Sequence, residues 1–258
     1  MGRTTPERAS TKPMIIHIVR NMSLSEGGIP RFVRNLISFL DFYEYGVVCT
    51  SSQMSDSWDI KTNIRMVHIC SPTVIEEISL PSYRLRKWVM SVLQITFPIR
   101  LSKLLKKMKA NLVHCHYNRW IDLQAIAIIR KANLPMVWTI HVLPPDNEKE
   151  LVRWRTAIDL IVHSGRGRIV AVSKAIVNRL AELGVCKAED VTVIYNGVNL
   201  KQFFRNTHSK TGFLRLRFGL PQDAIVFGSV GFLRFEKGYD IFIKAAALLS
   251  QRVNNVFF

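Results

Sequence analysis

The sequence predicts an α/β protein built around a doubly wound parallel sheet. Two patterns indicate this class: short β-branched runs that are apolar on both faces, and helical stretches that alternate with them. The composition supports it, since 48% hydrophobic and 21% charged residues in a chain of 258 provide enough apolar surface for a sizeable core. A disordered chain is excluded for the same reason, and no uncharged run reaches the roughly 18 residues that a membrane-spanning helix needs.

Seven strands are expected before residue 200. Most are β-branched and lack a polar face, which is typical of a parallel sheet covered on both sides. They are predicted at residues 14–19, 45–50, 64–69, 111–116, 135–141, 168–173 and 191–195.

Five helices are expected between these strands. They are predicted at residues 28–40, 81–109, 121–132, 148–163 and 174–183. Proline inside a helix removes a backbone hydrogen bond and clashes with the preceding turn, so Pro98 predicts a break in the second helix.

A shift in composition after Asn199 predicts how the chain divides. A polar tail covers residues 1–13, a first domain 14–199, a polar and basic linker 200–223, and a second unit 224–258. Within the linker we expect a short helix at 212–218. The second unit is predicted to contain a strand, a turn, a helix and a last strand, at 224–231, 232–238, 239–249 and 255–258. One β-α-β fragment of about 35 residues cannot bury its own sheet, so this unit is predicted to be an incomplete domain.

Basic residues dominate the charge. The 36 Lys and Arg residues outnumber 19 acids, which gives a net charge of +17 and predicts an anionic partner: nucleic acid, lipid headgroups or a phosphorylated substrate. No acid lies between Ile78 and Ile121. That stretch contains nine basic residues: Arg84, Arg86, Lys87, Arg100, Lys103, Lys106, Lys107, Lys109 and Arg119.

Residues 98–109 combine part of this charge with an apolar stripe at helical spacing, formed by Leu101, Leu104, Leu105 and Met108. Packing of that stripe against the core is the ordinary interpretation. A basic amphipathic helix also lies on anionic membrane surfaces. Nucleic-acid binding ranks below the membrane surface, because no nucleic-acid module or set of stacking aromatics accompanies the charge.

The cysteines indicate a reducing compartment. Cys49, Cys70, Cys115 and Cys186 are scattered, with no C-x-x-C pair. The first 13 residues are polar and basic and lack the apolar segment of a signal peptide. We therefore expect reduced thiols in a cytoplasmic protein.

The loop after the first strand is one candidate site. Gly27 and Gly28 allow a ligand to approach the backbone, and the helix N-terminus behind them favours an anion such as a phosphate. An ordinary strand–helix turn would use the same residues.

Histidines at strand ends form a second candidate. His116 and His141 end adjacent predicted strands, at the edge where open α/β sheets bind ligands. Hydrogen-bonded structural histidines would occupy the same positions. His114, Cys115 and His116 also suggest a metal site, but strand geometry places Cys115 on the opposite face from the two histidines, which argues against three ligands.

Arg234 and Lys237 form a third candidate, in a loop between a predicted strand and a helix start. Two cations beside a helix N-terminus suit a diphosphate, because they neutralise a leaving group as its charge develops. A solvated basic turn would look similar.

Taken in order, several segments resemble glycosyltransferase family 4, retaining enzymes with the two-domain GT-B fold. The resemblance rests on six segments between residue 14 and about residue 250: EGGIPRFVRNLISFL, NLVHCHY, LPMVWTIHV, IVAVSKAIVNRLAELGV, VTVIYNGVNLKQF and VGFLRFEKGYDIFIKAAALL.

This resemblance implies a Rossmann-like acceptor-side domain followed by a domain that holds a nucleotide-sugar. Gly27 and Gly28 would lie against the donor phosphates, and His141 would reach the donor sugar as the catalytic-site histidine. Lys237 would grip the donor diphosphate. The residues implied to line the cleft are His116, Ser173, Asn196 and Gly197. Such enzymes usually need no metal and no cofactor beyond the nucleotide-sugar.

Two features differ from the family pattern. Phe232 stands where the family commonly has an arginine, and Arg234 is the candidate replacement for that diphosphate cation. The family's paired glutamates and its base-binding loops would lie beyond Phe258. The chain therefore resembles a complete acceptor domain followed by the first β-α-β of a donor domain.

The resemblance implies transfer of a sugar, with retention, from a nucleotide-sugar to a lipid-linked or polysaccharide acceptor in cell-envelope glycan synthesis. The expected place is the cytoplasmic face of the plasma membrane, on an anionic surface, with no nucleic acid. The alternative is a truncated, non-catalytic fragment, or one subunit of a split enzyme whose partner chain supplies the missing domain.

Overall fold

The computed structural model describes residues 12–20, 28–50, 64–70, 82–116, 123–200 and 211–258. Its first seven strands are β1 (Met14–Val19), β2 (Glu44–Cys49), β3 (Arg65–His68), β4 (Leu112–His116), β5 (Met136–Ile140), β6 (Gly167–Ala171) and β7 (Val191–Val193). They form one parallel sheet in the order β3-β2-β1-β4-β5-β6-β7. The predicted doubly wound parallel sheet is confirmed.

In the described part of the chain, five helices accompany this sheet: α1 (Gly28–Phe39), α2 (Tyr83–Lys107), α3 (Leu123–Lys131), α4 (Glu148–Val162) and α5 (Lys174–Glu182). Side-chain caps explain where three of them begin. The side-chain oxygens of Ser82, Asn147 and Ser173 accept hydrogen bonds from backbone N–H groups in the first turns of α2, α4 and α5. None of the described helices is long and apolar enough to cross a membrane.

The core has two parts because alternate residues of each strand face opposite sides of the sheet. Ile16 and Ile18 of β1 join the larger cluster, in which Phe97 of α2 is also fully buried. Val19 joins the smaller cluster with Val33 of α1. The sheet is therefore packed on both faces, as its apolar strands predict.

Pro98 does not break α2, contrary to the prediction. The helix runs without interruption from Tyr83 to Lys107 with Pro98 inside it. Proline cannot donate to the carbonyl one turn earlier, which belongs to Gln94. That carbonyl instead accepts a hydrogen bond from Nε2 of Gln124 at 3.4 Å. The neighbouring residue Phe97 is fully buried, so tertiary packing holds the helix together across the proline.

The apolar stripe of residues 98–109 is part of the core. Leu101, Leu105 and Met108 are 0%, 3% and 6% exposed, and Leu104 packs against them partly buried. The ordinary interpretation is therefore confirmed, and the idea that this stripe contacts a membrane is wrong.

Contacts divide the chain into two units, residues 1–197 and 198–258. The second unit contains α6 (Thr211–Arg217), β8 (Ile225–Val226), α7 (Tyr239–Ser250) and β9 (Val256–Phe257). The strand predicted at 224–231 is wrong in length, because β9 pairs with only two of its residues. The predicted turn contains a 3₁₀ turn, Phe235–Lys237.

Apolar side chains of the second unit remain exposed. No residue of α7 is buried, and Ile241 and Ile243 of this helix are 68% and 64% exposed. Both residues of β8 are also largely exposed. A two-stranded sheet and two helices form too small a core to exclude water from these side chains.

Candidate functional site

The order of the strands reverses direction between β1 and β4, which lie side by side at the centre of the sheet. In doubly wound sheets, ligands bind outside the carboxyl ends of the strands at this point of reversal. Val19 and His116, the last residues of β1 and β4, are paired there. His141 directly follows β5, the next strand along.

Three histidines from these strands form one hydrogen-bonded chain. Nδ1 of His17 and Nε2 of His116 are 3.0 Å apart, and Nδ1 of His116 and Nε2 of His141 are 3.2 Å apart. A fourth, His114, lies beside them and pairs its Nε2 with Oγ1 of Thr139 at 2.8 Å. The structure thus brings together His116 and His141, as their positions at adjacent strand ends predict.

Burial keeps these histidines uncharged near neutral pH. It lowers the pKa of His17 to about 3 and that of His141 to about 4. The pKa values of His114 and His116 lie well below their ordinary value, mainly because of burial and secondly because of the other histidines. The group therefore supplies neutral hydrogen-bonding nitrogens at the sheet edge and no cation for a phosphate.

Phe32 of α1 packs against this histidine chain. Its ring lies edge-on to His141, with 4.8 Å between the ring centroids, and 5.8 Å from the ring centroid of His116. The helix that begins at Gly28 thus limits how the His141 ring can turn. Gly28 itself has open space where a side chain would project, and Gly27 lies outside the described residues.

Sequence reasoning missed His17 and Phe32. His17 is a polar residue inside an otherwise apolar strand, and this is the signal that could have found it. Its partners depend on the register of the strands, since the pairing of β1 with β4 places His17 opposite His114 and two residues away from His116, on the same face of the sheet. Phe32 gives no such signal, because an aromatic residue on an amphipathic helix is ordinary core.

A metal ion is a possible ligand of the histidine group. Among the described residues, His17, His114 and His116 offer ligand atoms that all lie within 4.8 Å of one another, and neutral imidazole is the form that binds metals. However, the Nδ1 of His17 and the Nε2 of His116 already bond to each other. All three side chains are neutral imidazoles, so the group itself provides no anion to compensate the charge of a buried divalent ion. These residues fit a metal poorly.

Cys115 lies in the large apolar cluster, on the opposite face of β4 from His114 and His116. The prediction that it cannot join the two histidines as a ligand agrees with this placement. No disulfide links any of the four cysteines, all of which lie in the described part of the chain.

The remaining residues predicted for the first unit lie farther along the sheet edge. Ser173 follows β6, and its Oγ accepts a hydrogen bond from the Ile176 N–H at 3.4 Å, which caps α5. Asn196 and Gly197 follow β7 and are exposed. Since β6 and β7 are the second and third strands from β4, the structure does not place these residues in the histidine group.

Both predicted cations of the second unit are exposed and precede α7. The Arg234 guanidinium lies 5.6 Å from the ring centroid of Phe232, and Lys237 ends the 3₁₀ turn. Gly238 then adopts a left-handed conformation, with φ of +64°, and directly precedes the first residue of the helix. The two cations beside a helix N-terminus are therefore present as predicted.

The doubly wound parallel sheet, with polar side chains at its point of reversal, defines the first unit as a Rossmann-like α/β domain. The chain belongs to Glycosyltransferase Family 4, whose profile matches residues 26–202. It is 29% identical over 147 residues to a D-inositol 3-phosphate glycosyltransferase of Thermobispora bispora, a match covering 54% of this chain and 33% of the relative. The enzyme of the same name from Thermomonospora curvata is 30% identical over 150 residues, covering 54% and 34%.

Solved structures show the same fold at low identity. Anabaena HepE in complex with UDP and glucose superimposes with a TM-score of 0.62 at 16% identity, covering 95% of this chain and 59% of that one. A UDP-forming trehalose-phosphate synthase from Burkholderia xenovorans superimposes with a TM-score of 0.54 at 14% identity, covering 95% and 63%. The matches thus span about a third of the curated relatives and about three fifths of these structures.

Proposed function

We propose that this chain acts in the transfer of a sugar from a nucleotide-sugar to a lipid-linked or polysaccharide acceptor, with retention at the anomeric carbon. The observation that carries the proposal is the position of His141, hydrogen-bonded to His116 at the point of reversal of the sheet in a Family 4 chain. The first unit would bind the acceptor. Because lipid-linked and polysaccharide acceptors are used to build cell-envelope glycans, the chain would act in cell-envelope glycan synthesis.

Each unit would contribute a different part of the chemistry. In the first unit, His141 would hydrogen-bond an oxygen of the donor sugar, and the open backbone at Gly28 would admit the donor phosphates. In the second, Arg234 and Lys237 would stabilise the diphosphate as the anomeric bond breaks. The acceptor hydroxyl would attack on the face from which the diphosphate departs, and its proton would leave with the diphosphate. No metal is invoked in these steps.

Nucleotide-sugar binding tests this proposal directly. In ligand-observed NMR with UDP-, GDP- and ADP-sugars, we expect one nucleotide-sugar to bind the chain in preference to its nucleotide alone. His141→Ala should weaken that binding about tenfold, the effect of losing one hydrogen bond of about 1.4 kcal/mol.

The matched control is His163→Ala, because His163 is an exposed histidine at the C-terminal end of α4, on a different element from His17, His116 and His141. It should leave the affinity unchanged. If the chain bound no nucleotide-sugar, or if both histidine variants behaved alike, the proposed role of His141 would be wrong.

The second candidate function is that of a non-catalytic chain, or one subunit of a split transferase, which binds acceptor or membrane without turnover. The exposed apolar residues of α7 favour it, since they are suited to a partner chain. Release of free sugar from the bound donor separates the two functions: the catalytic proposal predicts slow hydrolysis, and the second predicts none.

A surface of α2 supports the membrane as the place of action. We name as the exposed stripe Trp88, Val92, Ile95 and Ile99, which recur every three or four residues and are 65%, 37%, 66% and 52% exposed. The helix contains no acid.

Cations continue the exposed stripe at both ends. Arg84 precedes Trp88 by one turn, and Lys103 and Lys106 follow Ile99 by one and two turns. An apolar stripe flanked only by positive charge fits an anionic lipid surface, where the apolar side chains insert and the cations meet headgroups. We therefore propose that α2 holds the chain on the cytoplasmic face of the plasma membrane.

Vesicle binding tests this surface. We expect the chain to sediment with vesicles containing anionic phosphatidylserine or phosphatidylglycerol, and to be released as salt is raised. Ile95→Ser should weaken binding about tenfold, because about 1.5 kcal/mol of apolar burial is lost.

Val152→Ser serves as the control, since Val152 is 52% exposed on α4, away from the exposed stripe. Binding that is equally strong to neutral vesicles, or equally weakened in both variants, would contradict the assignment. Tight binding to oligonucleotides instead of vesicles would favour nucleic acid as the anionic partner.

A further inference from the structure

The histidine chain restricts where its protons can lie. Neutral histidine has one N–H and one bare nitrogen, so each imidazole can donate one hydrogen bond and accept one. His116 uses both nitrogens, one toward His17 and the other toward His141. The proton on His116 therefore decides the direction of both bonds.

Only two neutral arrangements satisfy both bonds. In the first, Nδ1 carries the proton in all three rings, so His17 donates to His116 and His116 donates to His141. In the second, Nε2 carries the proton in all three rings, and each bond runs the opposite way. The two arrangements differ at the ends: the first leaves Nδ1 of His141 as a donor, and the second leaves it as an acceptor.

The buried end of the chain selects between them. Nε2 of His17 is buried and has no hydrogen-bond partner among the described residues, and His17 as a whole is 1% exposed. Among the described residues, the Tyr45 and His114 rings lie beside His17, and both make hydrogen bonds elsewhere. His114 Nε2 bonds to Thr139, and the Tyr45 hydroxyl donates to the Leu40 carbonyl at 2.6 Å. An unpaired buried N–H is rarer in proteins than an unpaired buried acceptor. The arrangement with a bare Nε2 on His17 is therefore favoured.

We propose that His116, which accepts a hydrogen bond from His17, is a positioning residue that holds His141 in the form with its proton on Nδ1. His141 then presents a neutral N–H donor at the sheet edge, and it cannot act there as a base. The inference rests on the proposed function in one respect, that the ligand of His141 is a sugar oxygen. A donor N–H selects ligands with an oxygen acceptor at that position, such as a hydroxyl.

The protons can be located by NMR without any ligand. In the full chain labelled with ¹⁵N, long-range proton–nitrogen correlations near pH 7 distinguish protonated from bare ring nitrogens. We expect His17, His116 and His141 all to carry the proton on Nδ1, which is the less common form of histidine in water. Protons on Nε2 in His116 and His141 would overturn the proposal, even if no variant could be prepared.

A variant pair separates this role from simple packing. His116→Phe removes the donor to His141, so His141 should change to the form with its proton on Nε2, and nucleotide-sugar binding should weaken about tenfold. His114→Phe replaces a histidine that lies on the same face of the same strand but is not part of the hydrogen-bonded histidine chain. In this variant His141 should keep its proton on Nδ1. An unchanged His141 spectrum in His116→Phe would overturn the proposal.

Added Zn²⁺ distinguishes this role from metal binding. Retention of one equivalent of zinc after gel filtration, lost in both His116→Phe and His114→Phe, would overturn the proposal in favour of a metal site. The NMR result tests His116 independently of the proposed function. If the protons lie where expected but the chain binds no nucleotide-sugar, the inference about His116 holds and the proposed role of His141 is wrong.

Discussion

Acidification from pH 7 to pH 4.5 is expected to remove a large part of the stability of the first unit. Burial lowers the pKa of His17 to about 3 and that of His141 to about 4, whereas both are near 6.5 in the unfolded chain. Below pH 6.5 the unfolded chain therefore binds more protons than the folded one, and the free energy of unfolding falls as the pH falls.

The size of this effect follows from the two pKa shifts. Each histidine lowers the free energy of unfolding by about 1.4 kcal/mol per pH unit below pH 6.5. His17 and His141 together therefore lower it by about 5 kcal/mol at pH 4.5. The pKa values of His114 and His116 are lowered in the same direction and add to the loss. The total stability of a domain is about 5–15 kcal/mol, so the first unit should unfold between pH 6 and pH 4.

Urea unfolding monitored by circular dichroism at several pH values measures this dependence. His17→Phe removes one of the titrating groups. It should reduce the slope of the free energy of unfolding against pH by about 1.4 kcal/mol per pH unit. An unchanged urea m-value would show that the same structure unfolds at each pH. A free energy of unfolding that stays constant from pH 6.5 to 4.5 would contradict the burial of this histidine group.

Trp154→Ala is expected to lower the free energy of unfolding by about 3–5 kcal/mol. Trp154 of α4 and Trp138 of β5 are both 0% exposed, and their ring centroids are 5.2 Å apart. Removing one ring leaves a cavity against the other at the centre of the larger cluster. Thermal unfolding should shift to a markedly lower temperature.

Two controls accompany this variant. Trp154→Phe keeps most of the ring and removes an indole N–H that is buried and has no hydrogen-bond partner in the described part of the chain, so it should cost far less stability than Trp154→Ala. Trp88→Ala removes a tryptophan that is 65% exposed, and it should change stability by about 0.5 kcal/mol or less while weakening vesicle binding. If Trp88→Ala were as destabilising as Trp154→Ala, the exposed stripe would be part of a core instead of a membrane surface.

The local pattern of the chain was enough to predict most elements of the first unit. β1 spans residues 14–19 as predicted, and the other strands differ by a few residues at their ends. The pattern succeeds because strands buried on both faces must be apolar throughout, and this requirement is visible in the residues themselves. The sequence also predicted that His116 and His141 lie at the same edge of the sheet, because each is a polar residue at the end of an apolar strand, and the structure places their rings within hydrogen-bonding distance.

Contacts between distant segments decided the rest. Pro98 stays inside a helix because Gln124 of another helix bonds to the exposed carbonyl of Gln94. His17 joins His116 because two strands far apart in the chain pair in one particular register. Both apolar stripes of α2 have helical spacing, and only packing determines that Leu101 is buried while Ile95 is exposed. Residue types and spacing determine which elements form, but burial and partners depend on how those elements are arranged in space.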